Sequence, residues 1–163
     1  MKNPQQNTNM VEIALMLGGD LPGTAAAMAE ALQKFAVAGV AELRAGEPVM
    51  AAAEDCVPGT PDFLDMACCG KWGGSPEELL DLCQRIEREA GRPALHSSRE
   101  ARILDCDIIL FGSLELATAR LTIPHPRARK RFFVLEPLAA LAPEMSFPDG
   151  VTVELALAQL RGQ

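Results

Sequence analysis

Apolar residues run unbroken from Val11 to Leu17 in VEIALMLGG, the pattern of a strand buried on both faces. The period then changes. In TAAAMAEALQKFAVAG, Met28, Leu32 and Phe35 recur at i, i+4 and i+7, which predicts a helix with Thr24 as N-cap and Gly39 as its stop. Two Ala/Val-rich stretches follow, near residues 40–53 and 63–70, with the turn-rich EDCVPGTPD between them. SPEELLDLCQRIEREAGR carries the fullest set of helix signals. Ser75 is the N-cap, Pro76 the first helical residue, Glu78 the partner in a capping box and Gly91 the stop. Leu79, Cys83 and Ile86 form its core stripe, and Gln84 and Glu87 are i, i+3 neighbours on another face. Residues 93–101 lack periodicity and read as a loop, and ILDCDIILFG reads as a strand. RFFVLEPL is expected to be a further strand, followed by a short helical piece at Ala139–Leu141, a turn at FPDG and a last helix in VELALAQLRG. Elements of both kinds in irregular alternation predict an α+β sandwich, its helices packed on a mostly antiparallel sheet. Residues 1–10 are expected to be a flexible tail and 11–163 a single domain.

Composition narrows the function more than the fold. The 163 residues carry a net charge of −7, the wrong sign for nonspecific nucleic-acid or anionic-membrane binding. Aromatics make up 4% of the chain, with no Tyr and one Trp, too few for a base-stacking platform. The apolar run at Val11–Leu17 is too short to span a bilayer and lacks a signal-peptide cleavage pattern. Five cysteines, an odd number with no CxxC spacing, fit a reduced, cytoplasmic setting and read as small buried thiols rather than zinc ligands.

The chemistry concentrates between Arg92 and Arg131. Asp105 and Asp107 are i and i+2 in a strand, so both side chains project from one face, about 6–7 Å apart along it. Like charges so placed call for a cation, and hard oxygen donors suit magnesium. An Asp-x-Asp pair is also the pattern of an edge strand with a polar face. Arg92 and Arg102 precede or flank the pair, and Arg120 and Arg131 follow it. Guanidinium groups bind phosphate bidentately, although any one of them also reads as a solvated surface side chain. In so acidic a chain RARKR, at 127–131, reads as a local anion clamp in preference to a general basic patch. His125, in LTIPHP, could bond an α-phosphate or carry a proton. GGDLPGT lacks the Lys-Ser/Thr of a nucleotide P-loop and reads instead as a tight turn exposing Asp20. Acid pair, arginines and histidine together are what phosphoryl or pyrophosphoryl transfer from a nucleotide requires.

The motifs PEELLDLCQRIEREAGR, RILDCDIILFG, RLTIPH followed by RFFVLEPLAALAPE, and FPDG stand in an order and spacing that resembles the 6-hydroxymethyl-7,8-dihydropterin pyrophosphokinases of folate biosynthesis. The resemblance covers nearly the whole chain after the tail. It implies a ferredoxin-like fold and a reaction in which ATP gives its β,γ-pyrophosphoryl group to the hydroxymethyl oxygen of a pterin, leaving AMP. It implies Asp105 and Asp107 as ligands of two magnesium ions, with Arg92, Arg102 and His125 completing the catalytic set. It places Gln84, Glu87, Ile108, Arg120, Thr122, His125 and Arg131 with the nucleotide, and Phe63, Asp65 and Phe133 with the pterin, Phe133 stacking on the ring. A monomer with no nucleic-acid or membrane partner is expected.

The departures from the family pattern lie on the pterin side. Gly18-Gly19-Asp20 stands for a Gly-Ser-Asn turn, and MAAAE for a Tyr-x-Thr-x-Pro segment. Phe63 and Asp65 stand for a tyrosine and an asparagine, and Arg99 for a loop tryptophan, beside Ala94, Leu95 and Ser98 at basic positions. An ionised Asp65 can only accept hydrogen bonds. It would suit the amino and ring N–H groups of a pterin and face the ring carbonyl badly. Two other readings therefore stand beside the first: a pyrophosphokinase with a different hydroxymethyl acceptor, and a catalytically weak nucleotide-binding relative.

Overall fold

The computed structural model describes residues 9–20, 22–51, 63–91 and 103–163. The expectations for EDCVPGTPD, for the loop at 93–101 and for Arg92, Arg99 and Arg102 lie outside these residues.

Strand β1 (Val11–Gly19) is central, paired antiparallel with β4 (Phe63–Trp72) on one side and with β5 (Asp105–Phe111) on the other. β4 in turn carries β2 (Ala41–Ala45) and β3 (Val49–Ala51) along its outer edge, giving the order β2-β4-β1-β5. All these pairings are antiparallel, as the sequence pattern predicts. Ile13 to Leu17 are each at most 5% exposed, which explains the unbroken apolar run: the sheet is covered on both faces.

Helices α1 (Thr24–Val37) and α2 (Pro76–Glu89) cover one face. Met28 and Phe35 of α1, and Leu79, Leu82, Cys83 and Ile86 of α2, meet Ile13, Leu15, Leu17, Cys68, Cys106 and Ile108 there. Helices α3 (Phe132–Leu141) and α4 (Val153–Arg161) cover the other, against Ala14, Met16, Ala67, Cys69, Ile109 and Leu110. A bulge in β5 lets Ile109 and Leu110 both enter this second core before Phe111 returns to the first. A short hairpin, β6 (Leu116–Ala117) with β7 (Thr122–Ile123), lies beside β5.

The predicted capping box is present: Glu78 N–H donates to Ser75 Oγ at 3.1 Å, and Ser75 N–H donates to Glu78 Oε1 at 3.2 Å. Gly39 stops α1 at φ +113°, a conformation that favours glycine. Three expectations are corrected. Thr24 is the first residue of α1 and Gly23 its N-cap; the Thr24 hydroxyl donates instead to the Ile103 carbonyl at 2.7 Å. Asp20 is buried at 9% exposure, because the turn that holds it is packed beneath residue 103. A Cβ on Gly19 would collide with the Ile103 carbonyl oxygen and the Thr24 hydroxyl, so only glycine admits this approach. RFFVLEPL is not a strand but most of α3, continuous with the helical piece expected after it. Its aromatic and β-branched content favours a strand locally, yet Val134, Leu135, Pro137 and Leu138 are buried as one helical stripe, even though Pro137 removes a helix hydrogen bond.

Candidate functional site

The site forms where the Gly18 end of β1 meets β4 and β5. Gly18 pairs with Asp65 on one side and Asp105 on the other, and Met16 pairs with Ala67 and Asp107. Paired residues share a face, so Asp65, Asp105 and Asp107 all project from the face that α3 covers, with Asp65 and Asp105 two strands and roughly 10 Å apart. Asp105 and Asp107 thus do point the same way, while Cys106 and Ile108 between and after them are buried on the opposite side. Asp105 is half-buried and Asp107 exposed.

Asp65 is the most unusual of the three. It is 6% exposed, and its Oδ2 is buried with no hydrogen-bond partner among the described residues. Burial, reinforced by the Asp107 charge and opposed by Arg131, pushes its carboxyl from 3.8 up to about 7. The picture of Asp65 as a fully ionised acceptor is therefore corrected near neutral pH, where the group divides between carboxylate and neutral acid.

His125 is drawn to the same place. Its backbone N–H donates to the Ile109 carbonyl at 3.1 Å, fastening the residue to β5. Its Nδ1 accepts from the Arg127 N–H at 3.3 Å, which leaves the proton of the neutral ring on Nε2. Burial depresses its pKa, Asp107 opposing that shift and Arg131 and Arg127 adding to it, so the ring is a neutral Nε2–H donor. Arg131 is the N-cap residue of α3, and its guanidinium lies 5.1 Å from the centre of the Phe133 ring. Asp65, Asp107, His125, Arg131 and Phe133 therefore belong to one neighbourhood.

The remaining predicted residues border the free edge of β5. Glu87 of α2 accepts from the Cys106 N–H at 3.1 Å. That amide points away from β1, and alternation along the strand turns the Ile108 backbone the same way. The Ile108 side chain is 4% exposed in the first core, so only its backbone is available here. Arg120 bonds Gln84 Oε1 at 3.3 Å and forms an ion pair with Asp81 at 2.7 Å, closing the gap between α2 and the β6–β7 hairpin, where Thr122 is exposed. Phe63 is half-buried at the start of β4. The RARKR segment does not act as one clamp: Arg129 pairs with Asp149 at 2.7 Å and stacks on Phe147 at 4.8 Å, and so braces the FPDG turn. Sequence reasoning missed Asp81, which a charge one turn before Gln84 could have flagged, and the Thr24 tie to Ile103, for which no local signal exists.

Among the described residues no group of three or more His, Cys, Asp or Glu side chains gathers closely enough to hold a metal alone. Two carboxylates on one face fit magnesium nonetheless, since that ion takes one or two carboxylates and fills its other positions with water and phosphate oxygens.

Residues 14–143 match the family model for 7,8-dihydro-6-hydroxymethylpterin-pyrophosphokinase, HPPK. The chain belongs to this family. Curated HPPK-family relatives named 2-amino-4-hydroxy-6-hydroxymethyldihydropteridine pyrophosphokinase include one from Synechocystis, 41% identical over 97 residues (59% of this chain, 49% of that protein). Another, from Pseudomonas aeruginosa, is 43% identical over 91 residues (55% of each chain). The chain spans about half the length of these relatives. Among solved structures, a Plasmodium falciparum HPPK-DHPS chain crystallised with pteroate superposes with a TM-score of 0.59 at 12% identity, over 94% of this chain and 41% of that one. At that identity the likeness concerns the fold, and it bears out the ferredoxin-like α+β expectation.

Proposed function

We propose that this HPPK-family chain transfers pyrophosphate from ATP to the hydroxymethyl group of 6-hydroxymethyl-7,8-dihydropterin, forming AMP. The observation that carries this reading is the shared face of Asp105 and Asp107, with a neutral histidine, an arginine and a stacking phenylalanine beside it.

The acceptor hydroxyl oxygen attacks the β-phosphorus in line. The bond from that phosphorus to the oxygen bridging to the α-phosphate breaks, and AMP leaves with the electron pair. The hydroxyl proton passes to solvent. His125 donates from Nε2 to the oxygen on which charge collects, and Arg131 offsets the charge of the triphosphate. Gln84, Glu87, Arg120, Thr122 and the Ile108 backbone line the nucleotide's end of the site. Arg92 and Arg102, outside the described residues, add positive charge in this reading. Magnesium, two ions in the full proposal, would be held by Asp105 and Asp107 and would supply charge neutralisation. Buried, unpaired Cys68, Cys69, Cys83 and Cys106 suit work in the reducing cytoplasm. Among the described residues no helix is long and apolar enough to cross a membrane.

The test is a magnesium-dependent assay with ATP and the dihydropterin. AMP and pyrophosphorylated pterin should appear in equal amounts. No AMP above an enzyme-free control would overturn the proposal.

A further inference from the structure

Arg120 stands on the turn between β6 and β7, and that turn is closed by its own residues. The Thr118 N–H donates to the Leu121 carbonyl at 2.9 Å, and the Thr118 hydroxyl donates to the same carbonyl at 3.2 Å while accepting from the Leu121 N–H at 3.1 Å. The backbone at Arg120 is therefore set locally, but its long side chain is not. What orders the side chain comes from α2, distant in sequence. Asp81 Oδ1 accepts from Nη2 at 2.7 Å, and Gln84 Oε1 accepts from the same nitrogen at 3.3 Å. Asp81 and Gln84 are i, i+3 on the helix and so stand side by side. The shorter bond is also the charged one, so Asp81 is the main anchor. One nitrogen serves both partners, and among the described residues Nη1 and Nε have none. An ion pair with side chains 51% and 63% exposed adds little to stability. Its consequence is conformational. A free arginine loses rotamer freedom when a ligand immobilises it, which subtracts from affinity; an arginine already held loses less. The Asp81 charge also repels an anionic ligand, but at this exposure solvent and salt screen that repulsion, whereas the hold on Nη2 acts at contact.

We propose that Asp81 is a positioning residue: its carboxylate anchors Arg120 against α2 by Nη2, so that Nη1 and Nε meet an incoming nucleotide already oriented. The inference rests on the nucleotide reading of Arg120 above and adds the residue that prepares it. Asp81 touches neither nucleotide nor acceptor in this proposal, and acts only through the guanidinium that it holds.

A double-mutant cycle tests this, read by calorimetric titration of the whole chain with magnesium and a nonhydrolysable ATP analogue. Asp81→Asn keeps the shape and removes the charge. It should weaken nucleotide binding by about threefold to tenfold with the melting temperature unchanged. Asp81→Glu keeps the charge on the same helix face and should retain most of the affinity. In an Arg120→Ala background, adding Asp81→Asn should change affinity by less than about twofold, because no guanidinium remains to be positioned. In turnover, the loss in Asp81→Asn should appear in the KM for ATP and leave the KM for the pterin unchanged. Unchanged or tighter nucleotide binding in Asp81→Asn, or the same loss with and without Arg120, would overturn the inference. Nucleotide binding that depends on Asp81 in this way, but yields no AMP with the dihydropterin, would instead sink the pyrophosphokinase reading and leave the positioning role standing.

Discussion

Asp65 and His125 are perturbed in opposite senses, and their effects on stability follow opposite signs. The folded-state pKa of Asp65 is raised to about 7 from 3.8, so between these values the folded chain holds a proton that the unfolded chain releases. Its contribution is fully present below the ordinary value and is lost as pH rises through about 7, with an upper bound of about 4 kcal/mol. Asp65→Asn should therefore raise the thermal midpoint of the ligand-free protein above neutrality and leave it unchanged at strongly acidic pH, as pH-dependent melts would read. For His125 the folded pKa lies below the ordinary value, so stability falls as pH drops through that ordinary value towards the lowered one. Nitrogen NMR should find His125 neutral at pH 7 and protonated on Nε2, because Nδ1 is engaged by the Arg127 amide. Its replacement by alanine should reduce turnover by about 100-fold with a smaller effect on nucleotide affinity, since the bond strengthens as charge develops on the leaving oxygen.

Among the elements, α2 does most to place the residues proposed for the nucleotide. Its capping box fixes where the helix starts and thereby where Gln84 and Glu87 reach β5 and Arg120. Ser75→Ala should lower unfolding free energy by about 1 kcal/mol in denaturant titrations. The thiols of Cys68, Cys83 and Cys106 share the core where β4, α2 and β5 meet. Burial pushes Cys68 up to about 12, Cys69 on the other face up to about 11, and Cys83 and Cys106 well above the ordinary range. These four should resist alkylation at mild alkaline pH in the native protein and react together on denaturation; reaction of any of them in the folded state would contradict the packing described. α3 teaches the converse lesson to α2. Where polar and apolar positions alternate with caps, as in α2, the period is legible. RFFVLEPL is apolar on nearly every side, so it has no period to read, and the choice between helix and strand passed to what packs on it.

For the whole molecule, three layers set the site at one end of a sheet buried on both faces, with its edge strand β5 carrying Asp105 and Asp107, the pair proposed to bind magnesium. Asp107 is exposed and outside either core, so Asp107→Asn should leave the melting temperature nearly unchanged while weakening magnesium-dependent ATP binding by about tenfold or more, as calorimetry would show. A melt that shifts as much as binding does would mean the residue supports the fold rather than a ligand.

Local apolar runs, periodicity and caps determined the existence of β1, α1, α2, β5 and α4, though not the N-cap of α1, and the two-residue repeat of a strand determined that Asp105 and Asp107 face together. These are local consequences of backbone geometry, which every such stretch carries in its own residues. The burial of Asp20 and Asp65, the proton on His125, the pairing of Arg120 with Asp81 and the helix at Phe132–Leu141 were decided only in three dimensions. Each depends on groups distant in the chain, because desolvation, ion pairing and packing of a uniformly apolar segment are set by whatever the fold brings alongside.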